Sequence, residues 1–254
     1  MAIFAISDLH ADNRANRELI QSISTTRYQT DHLIVAGDIS NRLDVIRPTL
    51  QALKQRFRSV FFVPGNHEMW VSKDDDDSIR KFEQILAVCA DLGIFTSPAL
   101  VDGAWVVPLF SWYEASFYPA GDPQATELKG WSDFHLCNWH TRPDPLDYFT
   151  TLNTPHIKSY DRPVISFSHF VPRLELIPDP SVLFFKSLPL VSGSSQIEAQ
   201  IRQLGSRVHV FGHTHINRDV ILDGVRYVQN ALRYPRERQM YRFENQINLV
   251  QVWD

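Results

Sequence analysis

Short apolar runs alternate with amphipathic segments through the first third of the chain. AIFAI at 2–6 reads as a buried strand, followed by a polar break and a helix over about 12–24 with Leu19, Ile20 and Ile23 on one face. The unit repeats. DHLIVAGD supplies a strand at 32–36 and LDVIRPTLQALKQRF a helix over about 43–57; SVFFVPGNH then gives strand and turn, before a helix over about 75–91 that stops near Gly93. Strands alternating with helices predict parallel βαβ units, in which ligands bind beyond the carboxyl ends of the strands. After residue 93 the rhythm changes to strands at 104–109, 163–167 and 207–211, with a helix in SSQIEAQIRQL between the last two. The tail predicts antiparallel strands at 217–222 and 225–229 across an Asp223-Gly224 turn, and a second pair at 239–243 and 247–252. Two packed sheets are expected.

Residues 112–160 have little periodicity, several prolines and ten aromatics, and read as a lobe inserted into a single domain of residues 1–254. This lobe and residues 170–193 leave from strand ends, so both should overhang a site placed there. Trp112, Tyr113, Trp131 and Trp139 suit either stacking on an aromatic group of a ligand or a small satellite core, and burial tendencies favour the core. The acidic run Asp74–Asp77 reads as a helix N-terminus.

Composition narrows the function. A length of 254 residues with 44% hydrophobic and 21% charged positions is ordinary for a water-soluble globular protein, and no stretch of about 18 apolar residues is present to span a membrane. The N-terminus lacks the pattern of a cleaved export signal, and Cys89 and Cys137 are too few for a disulfide framework, so a cytoplasmic location is expected. A net charge of −4 and a pI near 6.2 give no broad attraction for nucleic acid. The ten histidines are more informative, because five fall in short motifs after apolar runs.

In SDLH, Asp8 and His10 are two apart, so at a strand end both side chains point to one side. Asp38 in AGDIS follows a buried strand and a glycine, where a carboxylate serves either as a ligand or as a turn residue. PGNHE presents Asn66 and His67 beyond a tight turn. ISFSHF places His169 after another strand, and VFGHTH places His213 and His215 two apart after the next, a frequent metal-ligand spacing. Taken singly each motif suits an ordinary structural role; five of them after five predicted strands do not.

This ordered set, SDLH, GD, GNHE, SHF and GHTH, resembles the motifs D-x-H, GD, GNH[ED], H and GH-x-H of the calcineurin-like metallophosphoesterase superfamily, and it spans Asp8 to His215. The resemblance implies a four-layer α-β-β-α sandwich of two mixed β-sheets flanked by helices. It further implies that Asp8, His10 and His215 hold one metal ion and that Asp38 bridges to a second held by Asn66, His169 and His213. Manganese, iron or zinc suits such mixed nitrogen and oxygen ligands. Two divalent ions against Asp8, Asp38 and a bridging hydroxide leave net positive charge for a phosphoryl group, so hydrolysis of a phosphomonoester or phosphodiester of a small substrate is expected. His67 then becomes the general acid. Many relatives carry an aspartate three residues after the GD aspartate, where this chain has Asn41; Asn41 can orient His67 only through a neutral hydrogen bond. Arg42 beside it suits either substrate phosphate or the start of a surface helix. A scaffold without catalysis and a nuclease of the same superfamily are the alternatives; the complete ligand set argues against the first and the acidic balance against the second. His32 and His209 lie in strands and read as packing residues, and His135, His140 and His156 are not assigned to metal.

Overall fold

The computed structural model describes residues 1–71, 77–122, 124–140, 144–240 and 246–254. Strands β1 (Ile3–Ile6), β2 (His32–Ala36) and β3 (Ser59–Val63) run parallel in a four-stranded sheet of order β10-β1-β2-β3. Its fourth strand, β10 (Val250–Trp253), joins antiparallel to β1. A six-stranded sheet of order β4-β5-β6-β7-β9-β8 contains β4 (Ala99–Val101), β5 (Ala104–Pro108), β6 (Val164–Phe167), β7 (Ser206–Phe211), β8 (Arg218–Leu222) and β9 (Val225–Gln229). Its four inner strands are parallel, and β4 and β8 close the edges antiparallel. Asp223 and Gly224, both with positive φ (47° and 82°), make the hairpin turn expected between β8 and β9.

The two-residue period of the strands sorts side chains into layers. In β2, Ile34 and Ala36 join Ile3, Phe61, Ile165 and Val210 between the sheets, whereas Leu33 and Val35 face the helices. Helices α1 (Arg14–Gln21), α2 (Leu43–Lys54) and α4 (Ser78–Leu92) contribute Ile20, Leu50 and Phe82 to the outer core, as do α6 (Pro145–Asn153) and α7 (Ser195–Leu204) with Phe149 and Ile201. The result is the α-β-β-α arrangement of two mixed sheets between helices. Helix α4 begins where Asp77 accepts a hydrogen bond from Arg80 N at 2.7 Å, and it ends at Gly93 in the left-handed region. Asp74–Asp76 lie outside the described residues.

Several expectations are corrected. The first two residues of the predicted strand at 239–243 are helical instead, since Pro235–Met240 forms helix α8, begun by a proline that suits a first helical turn; 241–243 lie outside the described residues. The terminal strand begins at Val250 and pairs with β1 rather than with a neighbour in sequence. The lobe contains regular elements, the short helix α5 (Asp133–Leu136) and α6, whose Leu146 and Phe149 are buried. Trp112 is 5% exposed and packs against Tyr113, Trp139, Phe149 and Phe170 as part of the outer core, whereas Trp131, parallel to Phe185 with ring centroids 5.5 Å apart, packs on a small satellite core of Leu128, Leu190 and Val191.

Candidate metal centre

The motifs converge because the carboxyl ends of both sheets meet. Asp8 and His10 follow β1, Asp38 follows β2, and the short helix α3 (Asn66–Met69) follows β3; His169 follows β6, and His213 and His215 follow β7. Backbone hydrogen bonds lace these loops together, with Asp8 N donating to Gly37 O (3.0 Å), His10 N to Asp38 O (2.9 Å), and Arg233 N to Asp8 O (3.1 Å). His169 lies over two glycines. A Cβ on Gly37 would stand 2.2 Å from its Nδ1, and one on Gly65 would stand 2.3 Å from Asp38 Oδ1 and 2.7 Å from the His169 ring, so only glycine admits the imidazole here.

Asp8, His10, Asp38, His213 and His215 all have left-handed backbone, with φ of 52°, 41°, 56°, 76° and 57°. Such a conformation costs a non-glycine residue about 1–3 kcal/mol and persists only where surrounding bonds impose it. It also replaces the extended geometry expected for the D-x-H and H-x-H pairs. Instead of sharing one face, His213 and His215 enter two neighbouring clusters: Asp8, His10, Asp38 and His215 in one, Asp38, His169 and His213 in the other, with Asp38 common to both.

The protons in the second cluster can be placed. His169 Nδ1 donates to Ala36 O (2.9 Å), and His213 Nε2 donates to Val191 O (2.9 Å). Burial lowers the pKa of both rings, so both are neutral and their remaining nitrogens carry lone pairs. Asn66 Nδ2 donates to Asp133 Oδ1 (2.9 Å), which fixes the amide with its oxygen turned inward. That oxygen lies 3.1 Å from His169 Nε2 and 3.1 Å from His213 Nδ1. Three acceptors thus face one another without a donor among them, beside Asp38 Oδ1 at 3.5 Å from His169 Nε2. A cation resolves that arrangement, and the donor set fits a divalent transition metal.

In the first cluster, His10 Nε2 and His215 Nε2 meet at 2.9 Å, and His215 Nε2 lies 3.5 Å from Asp8 Oδ1. Burial opposes charge on His215, but Asp8 and Glu237 outweigh it and raise its pKa to about 9. Burial, with His215 nearby, keeps His10 neutral. Burial opposes ionisation of Asp8 too, yet His215, His169 and His10 hold its pKa below the usual carboxylate range; burial, Glu68 and Asp8 raise that of Asp38. One proton shared by two imidazoles beside a carboxylate occupies the place a metal ion takes when these groups are ligands.

Residues outside the sequence argument support the set. Glu68 is fully buried and its carboxylate accepts four backbone N–H groups, from Asp38 (2.9 Å), Gly65 (2.6 Å), Ile39 (2.7 Å) and Ser40 (3.0 Å). Asp133 orients Asn66 and also accepts from Trp70 Nε1 (2.5 Å) and Trp131 Nε1 (2.8 Å). Glu237 accepts from His215 Nδ1 (2.7 Å) and so fixes the orientation of that ring. No motif marks Asp133 or Glu237, because each belongs to a segment remote from its partner.

A cavity of about 490 Å³ opens beside the clusters, lined by Asp38, Asn66, His67, Trp70, Trp131, Asp133, Phe185, Leu188, His213, His215, Tyr234 and Glu237 among others. His67 faces it, its ring tilted by 33° against Trp70 (centroids 3.7 Å apart) and its Nε2 3.8 Å from Asp38 Oδ2. Burial, with His215 and His169, lowers its pKa to about 3. Asn41 and Arg42 are exposed and do not line this cavity: the Asn41 carbonyl accepts from Lys81, and Arg42 pairs with Asp44 at the start of α2. His32 bonds Asp102, and His209 is buried between Ser166 and Ser168, both away from the clusters.

The calcineurin-like phosphoesterase family model matches residues 1–217. The [acyl-carrier-protein] phosphodiesterase PptH of Mycobacterium tuberculosis is 29% identical, over 96% of this chain and 82% of its own length. An uncharacterised protein of Acanthamoeba polyphaga mimivirus is 23% identical, over 87% of this chain and 85% of its own. The crystal structure of the phosphopantetheinyl hydrolase PptH from Mycobacterium tuberculosis superposes with a TM-score of 0.82 at 27% identity, covering 99% of this chain and 95% of that one. Among the described residues, no helix is long and apolar enough to cross a membrane. Motif order and loop geometry agree with the family match, and the chain belongs to the calcineurin-like phosphoesterases, metal-dependent hydrolases of phosphoric esters.

Proposed function

We propose that the protein is a dinuclear-metal phosphodiesterase in which Asp8, His10, Asp38 and His215 hold one ion, Asp38, Asn66, His169 and His213 hold the second, and His67 is the general acid. The observation that carries this reading is the meeting of Asn66 Oδ1 with the lone-pair nitrogens of His169 and His213 at 3.1 Å, each donor atom of the three being bonded elsewhere. Two such ions, of manganese, iron or zinc, supply Lewis acidity and an acidified water. The chain's own part is to position them, keep the His10, His169 and His213 imidazoles neutral, and present His67 Nε2 to the leaving oxygen; burial disfavours charge on His67, so its proton arrives with the anionic ester.

The cavity favours a diester. Its lining includes Glu127, Asp133 and Glu237 but, among the described residues, neither lysine nor arginine, so it suits a monoanion better than the dianion of a monoester. Trp70, Trp131, Phe185 and Leu188 give it an apolar wall for the ester's organic arm. A phosphopantetheinyl group on an acyl carrier protein is such a diester, and the names of PptH support it as the substrate. In this reading the chain is one domain, and residues 112–160 form a lobe that shapes the cavity through Trp131 and Asp133.

Chelated protein reloaded with manganese, iron or zinc is the test. Hydrolysis of bis-p-nitrophenyl phosphate in preference to p-nitrophenyl phosphate, and release of phosphopantetheine from carrier protein, are expected; Asp38→Asn abolishes both. His67→Ala keeps its metals and loses on the order of 10²- to 10⁴-fold in turnover on the carrier protein, whose alkoxide leaving oxygen needs a proton, and far less on bis-p-nitrophenyl phosphate. Loss of bound metal in His67→Ala sinks its role as an acid, and a wild-type protein inert on every diester with all three metals sinks the activity.

A further inference from the structure

Among the described residues, the group that hydrogen-bonds the His67 ring is the hydroxyl of Tyr234, which reaches Nε2 at 3.3 Å. Asn41, at the position where many relatives carry an aspartate and from which a neutral hydrogen bond to this ring is expected, lies exposed with its carbonyl turned to Lys81. Tyr234 is far away in sequence but fixed from several sides. Its ring stacks on His10 (centroids 3.9 Å apart, planes within 19°), and its backbone N–H donates to Glu237 Oε2 at 2.9 Å, the same oxygen that takes His215 Nδ1. The hydroxyl stands on the cavity wall beside His67.

We propose that Tyr234 is the positioning residue of His67: its hydroxyl holds the imidazole facing the cavity until the leaving oxygen displaces it from Nε2. A hydroxyl donates and accepts, so it can partner Nε2 whether or not that nitrogen carries a proton, and it adds no negative charge beside the phosphoryl group. At 3.3 Å the contact is long for a hydrogen bond, and a leaving oxygen can take it over as the ester binds. The proposal rests on the reading of His67 as the acid, so its test must separate the two.

Tyr234→Phe keeps the ring on His10 and removes only the hydroxyl. In metal-free protein, long-range proton–nitrogen spectra should show the His67 Nε2 resonance move in Tyr234→Phe while His169 keeps its own. In loaded enzyme, Tyr234→Phe should lose about 10-fold more turnover on an alkyl phosphodiester, whose leaving oxygen needs a proton, than on bis-p-nitrophenyl phosphate, whose leaving group does not, with KM unchanged. In a His67→Ala background the same substitution should add nothing, the non-additivity of two residues acting as one unit. An unmoved Nε2 resonance overturns the contact. A loss equal on both esters, or additive with His67→Ala, overturns the positioning role. Equal loss on both esters in His67→Ala alone instead refutes the acid reading, and the nitrogen resonance then still decides whether Tyr234 holds the ring.

Discussion

Glu68→Gln replaces one atom in a buried side chain and should cost far more than that suggests. Both carboxylate oxygens of Glu68 accept two backbone N–H groups, Oε1 from Ile39 and Ser40 and Oε2 from Gly65 and Asp38. Burial raises its pKa and these bonds pull the other way, yet four donors around two oxygens require a carboxylate that donates nothing. A glutamine keeps one oxygen and turns an NH₂ group toward the other two N–H groups. Two buried donors lose their acceptor at about 1–3 kcal/mol each, a destabilisation of about 2–6 kcal/mol before the clash of donor against donor. That is a large share of the roughly 5–15 kcal/mol that holds a domain together. Urea unfolding of metal-free protein reads the difference as a lower midpoint at unchanged slope. The same change loosens Asp38, so metal affinity should fall as well. A loss below about 1 kcal/mol would refute the reasoning, because it would mean that Glu68 is already protonated and that glutamine merely copies it.

The other outcomes follow from the groups behind the ligands. Asp133→Ala frees the Asn66 amide to turn, and affinity for the second metal should fall by about 10- to 100-fold in calorimetric titration, with unchanged binding counting against the role given to Asp133. Glu237→Ala removes the partner of His215 Nδ1 and should cost a similar factor, this time in the first metal; equal losses at both metals would point to general disorder instead. Metal-free protein should lose stability as pH rises: His215 has a folded pKa of about 9 against 6.5 when unfolded, so its contribution is complete below pH 6.5 and disappears on passing 9. Thermal unfolding of chelated protein between those limits checks the sign, and a rise in midpoint over that window contradicts it.

Much of this was legible in the sequence, and what escaped shares a physical cause. Buried parallel strands read as continuous apolar runs, so β1, β2, β3, β6 and β7 could be placed, and with them the loops that carry the ligands. The tail misled because an apolar run was paired with its nearest neighbour, whereas β10 completes the sheet beside β1 at the opposite end of the chain. Asp133, Tyr234 and Glu237 are single polar residues in irregular segments or at a short helix. Their meaning arises only when Asn66, His67 and His215 are brought beside them, and no period or spacing announces that. The left-handed backbone at Asp8, His10 and His215 escaped for a related reason, since propensity argues against it and only the surrounding bonds enforce it.

That enforcement explains how the proposed ligands, of such unfavourable conformation, can stand ready before any ion binds. At Asp8 the backbone N–H bonds Gly37 O, its carbonyl takes Arg233 N, and Oδ1 takes His213 N at 2.9 Å, so both sheets grip one residue. Asp38 is held by its N–H on Glu68 and its Oδ1 under His67 N at 3.1 Å. Arg233, itself left-handed at φ 69°, donates Nε to His215 O at 2.7 Å and ties the last ligand to the loop that carries Tyr234 and Glu237. The bonds that impose the strain are therefore made chiefly by peptide groups and by Glu68 and Arg233, with Oδ1 of Asp8 and of Asp38 as the two side-chain atoms of the clusters that share in them. Ligand geometry and fold stability are coupled through these supports, and a change in a ligand's free atoms, such as Asp38→Asn, should disturb the chemistry more than the fold, whereas Glu68→Gln should disturb both.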